Sequence, residues 1–328
     1  MWFRTPIIAF GSLVFLGLAG AQTPPPAPDV IIDAMEGALG RITTYRPSHG
    51  KGYCAAGNFV ATADGTRLSV APVFNGQRVP AVIRFGVGGP NARVADTARS
   101  TRGLAIHMET PAGDVWDSAS ISVPVFGAPT PEAFVGGLLV RSPGANGAPP
   151  DPAAVAAFVA ANPQTLNQGR WLAANLPPAS FATTPYFGVN AFRFQGADGQ
   201  VRIARWVFEP RAGLERLTAE QLTSMPADFL ADELRRRVAT APVEFDMVLQ
   251  FPGAGDDVNN PTIAWPDDRP RTMVGRLTVT EVAAGPGGAC EPISFMVLDQ
   301  EPGITFSDDP MLAVRAGAYA VSLSRRTR

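Results

Sequence analysis

The chain has 328 residues, 46% of them hydrophobic, and a formal net charge of −2. That charge argues against a nucleic-acid binder, and the apolar share is ample for a buried core. Its 33 glycines and 32 prolines lie in turn-like clusters without a repeat, which favours many short strands and loops over a helical bundle.

The first segment reads as an export signal. Arg4 supplies a positive charge, "IIAFGSLVFLGLAG" an apolar run too short to span a bilayer comfortably, and Ala19-Gly20-Ala21 a small-residue cleavage site. Residues 1–21 are therefore expected to be a signal peptide, with an uncleaved anchor as the alternative. The mature protein is expected to be soluble, with no membrane association after cleavage, and periplasmic or secreted. "QTPPPAPD" (22–29) reads as an extended Pro-rich leader.

"VIIDAMEGALGRI" has helical apolar spacing, and from Gly57 to Thr110 the chain reads mostly as strands. "NFVATADGTRLSV" carries a turn at Ala63-Asp64-Gly65, "VPAVIRFGV" is β-rich, and "GLAIHMETPAGDVWD" turns at Pro111–Gly113. Ser142–Pro152 is a loop before an alanine-rich helix, "PAAVAAFVAAN", with Asp151 as its N-cap. "FGVNAFRFQGADGQVRIARWVFEP" reads as a hairpin around "GADGQ". "LTAEQLTSMPADFLADELRRRVATAP" is helical in two pieces divided at Pro226. "VEFDMVLQFPG" and "TMVGRLTVTEV" return to strand. The closing helix, "SDDPMLAVRAGAYAVSLSRR", has Ser307 as candidate cap and Pro310 in its first turn. No linker or composition shift divides residues 30–328, so an α+β single domain with a closed antiparallel sheet and peripheral helices is expected.

Few residues carry obvious chemistry. Two histidines exclude a site of several imidazoles, and no GxSxG elbow accompanies them. His49, in "YRPSHGKGYCAAGNF", is by itself either a working group or a loop residue. His107, in an alternating strand, reads as an ordinary strand residue, and "GVGGP" lacks the following helix that a phosphate loop needs. Cys54 and Cys290 are the only cysteines, and in an oxidising compartment an even pair reads first as a disulfide. Closing so long a loop stabilises by on the order of 5 kcal/mol in the chain-entropy model. Two buried thiols or a thiolate haem ligand are the alternatives. Arg315 and Tyr319 sit at i, i+4 on one helix face, about 6 Å apart along the axis. A guanidinium facing a phenol favours the phenolate, and tyrosinate is a known axial ligand of haem iron. A surface arginine covering a half-buried tyrosine is the plainer alternative.

Taken in order, "RPSHGKG", "VIRFG", "ADTARSTRGLAI", "VPVF", "PEAF" and "SDDPMLAVRAGAYAVSLSRR" resemble the haem catalases, and most of all their short branch, the catalase-related peroxidases. The resemblance runs from about Arg41 to the C-terminus. It implies a catalase-like β-barrel core with haem between the barrel and the C-terminal helix, without a long N-terminal arm or an extra C-terminal helical domain. It makes His49 the distal acid–base group, Tyr319 the axial tyrosinate and metal ligand, and Arg315 its catalytic partner. It also makes Arg46, Arg84 and Arg326 propionate-binding arginines, and Phe126 and Phe134 aromatics of the distal wall. Two positions depart from the family pattern. Ile121 stands where catalases place a distal asparagine, and Gly86 stands where a serine bonds the histidine. Ser120 and Ser122 flank Ile121, but alternation puts them on the opposite face.

The resemblance implies a haem-dependent peroxidase that reduces H2O2 or organic hydroperoxides through a high-valent haem intermediate, in oxidative-stress defence. Haem b is the expected variant, and peroxide and a small-molecule electron donor are the expected partners. A monomer or small homo-oligomer is expected. Loss of the asparagine implies weak catalase activity. The rival readings are rearrangement of fatty-acid hydroperoxides on a catalase-like haem, and a non-catalytic haem-binding protein.

Overall fold

The computed structural model describes residues 24–39, 46–144, 147–285, 287–297 and 302–327. The expected signal peptide, residues 1–21, lies outside them. Among the described residues no helix is long and apolar enough to cross a membrane.

Helix α1 (Pro28–Leu39) begins inside the stretch expected to be leader, and residues 24–27 before it belong to no regular element. Strand β1 (Lys51–Ala61) follows. The turn expected at Ala63–Gly65 is instead the start of α2 (Ala63–Leu68). The reason is local: the Thr62 hydroxyl accepts from the Gly65 amide at 3.1 Å and caps a helical turn. Next come β2 (Arg78–Val87), β3 (Arg102–Glu109) and β4 (Val115–Ile121), then α3 (Pro131–Arg141), α4 (Pro152–Ala161) and α5 (Asn167–Ala174). Asp151 caps α4 as expected. Strands β5 (Tyr186–Phe187), β6 (Phe192–Gln195) and β7 (Val201–Pro210) precede α6 (Gln221–Ser224) and α7 (Phe229–Thr240), the two pieces on either side of Pro226. The chain closes with β8 (Val243–Gln250), β9 (Arg271–Val282), β10 (Ile304–Phe306) and α8 (Pro310–Arg326). Asp309, not Ser307, caps α8: its carboxylate accepts from the Met311 amide at 2.9 Å, while Ser307 accepts from the Asp309 amide.

The antiparallel sheet runs β7-β5-β4-β3-β2-β1-β9-β8, and pairing of β7 with β8 closes these eight strands into a barrel. Strands β6 and β10 extend from β7 outside the closure. Period-two alternation fills the barrel: Leu104, Ile106 and Met108 of β3 point inward with Phe59, Phe85, Trp206 and Phe245. What matters for function is the other face. Gly103 and Ala105 on β3, with Ala119 and Ile121 on β4, turn outward and present mostly small side chains. Helix α1 packs through Ile31 and Ala34 on Val135 of α3, with Val314 and Ala318 of α8 joining the cluster.

Candidate functional site

Between that outer face and helices α1, α3 and α8 lies a cavity of about 440 Å³. Its floor includes Gly103, Ala105, Ala119 and Ile121, and the helices contribute Met35, Phe134, Leu138 and Val314. The small floor residues leave room for a flat group lying against the barrel. Arg46, His49, Arg84, Phe126, Phe134, Arg315 and Tyr319 all line this one cavity, and Phe126 stacks on Phe134 with ring centroids 5.6 Å apart. Arg326 does not line it but joins the arginine cluster at its margin.

His49 adopts a left-handed backbone, φ 52°, unusual for a residue other than glycine. Its imidazole lies so close to β3 that a Cβ on Gly103 would stand 2.7 Å from Nδ1. Nδ1 is buried without a hydrogen-bond partner among the described residues, which leaves Nε2 to exchange protons with a cavity ligand. Burial, then the positive charges of Arg84 and Arg102, lower its pKa to about 4, while the Gly86 backbone and Arg46 act more weakly in opposite senses. His49 is therefore neutral at pH 7, as a proton acceptor must be.

Three guanidiniums converge on one loop. Arg46 donates to the carbonyls of Cys290, Glu291 and Ile293, the last at 2.7 Å, and Arg326 donates to Glu291 O at 2.7 Å. Arg84 holds the Glu291 carboxylate through Nε at 3.1 Å and donates to His49 O at 2.9 Å. It reaches there because Gly52 has no side chain: a Cβ would fall 2.2 Å from its Cζ. Burial lowers Arg46 to about 9, with Arg84 and Arg326 adding repulsion and Glu291 opposing it. Three positive charges around one carboxylate leave a cluster suited to a dianionic group.

The loop they share is tied down twice. Cys54 and Cys290 form a disulfide, Cα–Cα 5.3 Å. Asp117 accepts from the Met296 amide at 2.9 Å and pairs with His107 Nδ1 at 2.7 Å, so His107 is more than a plain strand residue. On α8, Arg315 Nη2 donates to the Tyr319 phenol, and its Nη1 donates to Asn190 Oδ1 at 3.0 Å. Asn190 in turn donates to Asp309, the α8 cap, at 2.7 Å.

Sequence reasoning passed over Gly52, Gly103, Asn190 and Glu291. No local motif marks Asn190 or the two glycines, because their importance comes from what packs against them. Glu291, next to Cys290, could have been suspected from the disulfide. Both serines beside Ile121 accept a hydrogen bond from barrel residues. Ser120 accepts from Trp206 Nε1 at 2.9 Å and Ser122 from the Arg102 amide at 2.8 Å. A side chain at Gly86 would meet His49 Cβ at 3.1 Å.

The residues present fit a haem. A phenol with a guanidinium at its oxygen can serve as an anionic axial ligand. The arginine cluster matches two propionates, and the flat apolar floor matches a porphyrin.

A sequence model of the catalase family matches residues 39–327. The chain is 41% identical to a catalase-related peroxidase of Synechococcus elongatus, over 100% of this chain and 97% of that one. It is 36% identical to a catalase-related peroxidase of Mycolicibacterium paratuberculosis, over 92% and 95%. Among solved structures it is similar to a fungal catalase, with TM-score 0.77 and 22% identity over 88% of this chain and 60% of that one. It is also similar to catalase A from Saccharomyces cerevisiae, with TM-score 0.76 and 21% identity over 86% and 61%. These two likenesses bear on the fold alone, and the match spans less than two thirds of either catalase.

Proposed function

The chain belongs to the catalase family, in its short catalase-related peroxidase branch, and on that footing we propose that it reduces H2O2 or organic hydroperoxides at the expense of a small organic donor. Bound haem, with haem b as the expected variant, supplies the redox chemistry that cleaves the peroxide and oxidises the donor. Tyr319 would ligate its iron. Arg315, anchored by Asn190, would hold the phenol as the anion. Arg46, Arg84 and Arg326 would bind the propionates, and Phe126 with Phe134 would pack on the ring. His49, neutral at pH 7, would take a proton from one peroxide oxygen at Nε2 and return it to the other, so that water or an alcohol leaves.

The observation that carries this reading is the meeting of His49 with the Arg315–Tyr319 pair in one cavity. Catalase turnover requires two peroxides to be oriented in succession. An isoleucine at position 121 offers neither a hydrogen bond, so catalase activity should be weak. The Cys54–Cys290 disulfide supports an exported protein in an oxidising compartment, hence the signal peptide, a periplasmic or secreted location, and a role in peroxide defence. A monomer or small homo-oligomer remains the expected state.

The test is an absorption spectrum of the purified protein, followed by parallel assays of dye oxidation and oxygen release from H2O2. A high-spin tyrosinate-ligated ferric spectrum, with dye oxidation dominating, supports the reading. Absence of haem uptake overturns it. The apolar lining that Ile121, Met35, Leu138 and Val314 give the cavity favours a second reading, rearrangement of fatty-acid hydroperoxides. Product analysis with a lipid hydroperoxide and no donor separates the two: rearranged products support the second, and intact substrate excludes it.

A further inference from the structure

Beyond Ile121 the cavity lining continues into Phe126, and a polar side chain from outside the barrel reaches this part of it. Gln168, in the first turn of α5, lines the same cavity as His49. Its Nε2 donates to Val125 O at 3.0 Å, which fixes the amide beside Phe126. The site is shaped to admit it: a Cβ on Gly127 would stand 3.3 Å from Gln168 Oε1, closer than such contacts ordinarily come. Gln168 makes no other hydrogen bond among the described residues, so one amide N–H and Oε1 remain unspent. Of the other polar groups lining the cavity, Ser120 accepts from Trp206, and Asn190 is bonded to both Asp309 and Arg315.

We propose that Gln168 orients the peroxide in this cavity, supplying from α5 the polar contact that Ile121 cannot make on β4. A hydroperoxide presents one O–H donor and two acceptor oxygens, and a primary amide with a free N–H and a free carbonyl oxygen complements both. The Val125 bond holds that amide in place, so it need not be ordered when the substrate arrives. Gln168 is then a specificity-determining residue in the cavity that also holds the proton carrier His49. The proposal rests on the haem-peroxidase reading.

The test uses the haem-loaded protein and cyanide as probe, read by the shift of the main haem absorption band, alongside KM and kcat for H2O2 with a dye. Gln168→Leu should weaken cyanide binding and raise KM by about ten-fold, the scale of one hydrogen bond to a polar ligand, with kcat changed less. Gln168→Asn keeps the amide but shortens its reach, and should fall between wild type and the leucine variant. Unchanged cyanide affinity and KM in Gln168→Leu overturn the proposal. So does a variant that only melts earlier and loads less haem while each loaded molecule binds cyanide normally, because that outcome makes Gln168 a strut for residues 125–127. A wild-type protein that takes up no haem overturns the underlying reading first, and is distinguished by having no spectrum to shift.

Discussion

The guanidinium of Arg315 bridges two partners, donating through Nη2 to the Tyr319 phenol and through Nη1 to Asn190 Oδ1. Asn190 is bonded to Asp309, whose carboxylate also caps α8. The group that starts the helix thus fixes the residue that aims the arginine one turn before the tyrosine. Cap, helix and candidate ligand form one connected unit. That arrangement explains how an exposed-looking arginine on a terminal helix keeps a defined direction.

Tyr319→Phe keeps the ring and removes only the oxygen. The fold should survive, since Tyr319 packs at the edge of the core rather than within it. Haem should be held poorly and the ferric spectrum should change. An unaltered spectrum with full activity would remove the axial-ligand assignment. Asn190→Ala should act in the same direction but more mildly, by freeing Arg315 rather than deleting the ligand.

Reducing the Cys54–Cys290 bridge should weaken both stability and cofactor binding. The chain-entropy model assigns a loop of this length on the order of 5 kcal/mol. Its loss also releases the 290–293 segment, whose carbonyls receive Arg46 and Arg326. Peptide mapping of unreduced exported protein should show the two cysteines linked. Free thiols there would count against the bridge, and equal haem retention before and after reduction would count against its role in holding the arginines.

Much of this was legible from pattern. The barrel strands announce themselves by alternation, and the halves of the hairpin around "GADGQ" by their turn. The site residues became legible only through the family resemblance, since His49 and the Arg315–Tyr319 pair each have a plainer reading alone. What the pattern missed was partly cap chemistry and partly non-local packing. Thr62 turns a predicted bend into a helix by a single hydroxyl bond, and Asp309 outcompetes Ser307 as cap because it lies directly before Pro310. Gly52 and Gly103 matter only because an arginine and a histidine distant in sequence lie over them.

Glu291 gives a charge test. Its carboxylate pairs with Arg84 in a cluster of three guanidiniums, partly open to solvent. In cofactor-free protein Glu291→Gln leaves those charges less compensated, and should cost about 1–2 kcal/mol in urea unfolding, less than a fully buried pair would. Haem propionates would supply the missing negative charge, so the loaded variant should lose much less. An equal loss in both states would show that the cluster does not receive the propionates.

The pKa of His49 sets a pH dependence with a definite sign. The folded protein holds it near 4 against an ordinary 6.5, so between these values the unfolded chain binds the extra proton. Stability should therefore fall as pH drops through this window, by at most about 3 kcal/mol from this group. Unfolding of cofactor-free wild type and His49→Asn at pH 7 and pH 5 should show the larger acid loss in wild type. Parallel losses would mean that His49 is not held neutral. The rate of peroxide consumption should meanwhile stay flat from pH 7 to about 5, because the proton acceptor remains unprotonated.

Ile121 offers a test between the two proposed uses of peroxide. It faces the cavity from β4, where the family resemblance leads one to expect an orienting asparagine, and its serine neighbours accept from Trp206 and Arg102. Ile121→Asn should raise H2O2 disproportionation relative to donor oxidation. One hydrogen bond to developing charge amounts to about 1–3 kcal/mol of barrier, or roughly five- to hundred-fold in rate. His49→Ala should abolish both activities, since each needs the same proton transfer. An unchanged ratio in Ile121→Asn would remove the basis for weak catalase activity, and combining it with Gln168→Leu shows why. If the ratio responds to asparagine only once Gln168 is gone, the amide on α5 was already filling that role. If it responds in neither background, the peroxide is oriented by His49 alone, and the isoleucine matters only for the shape of the wall.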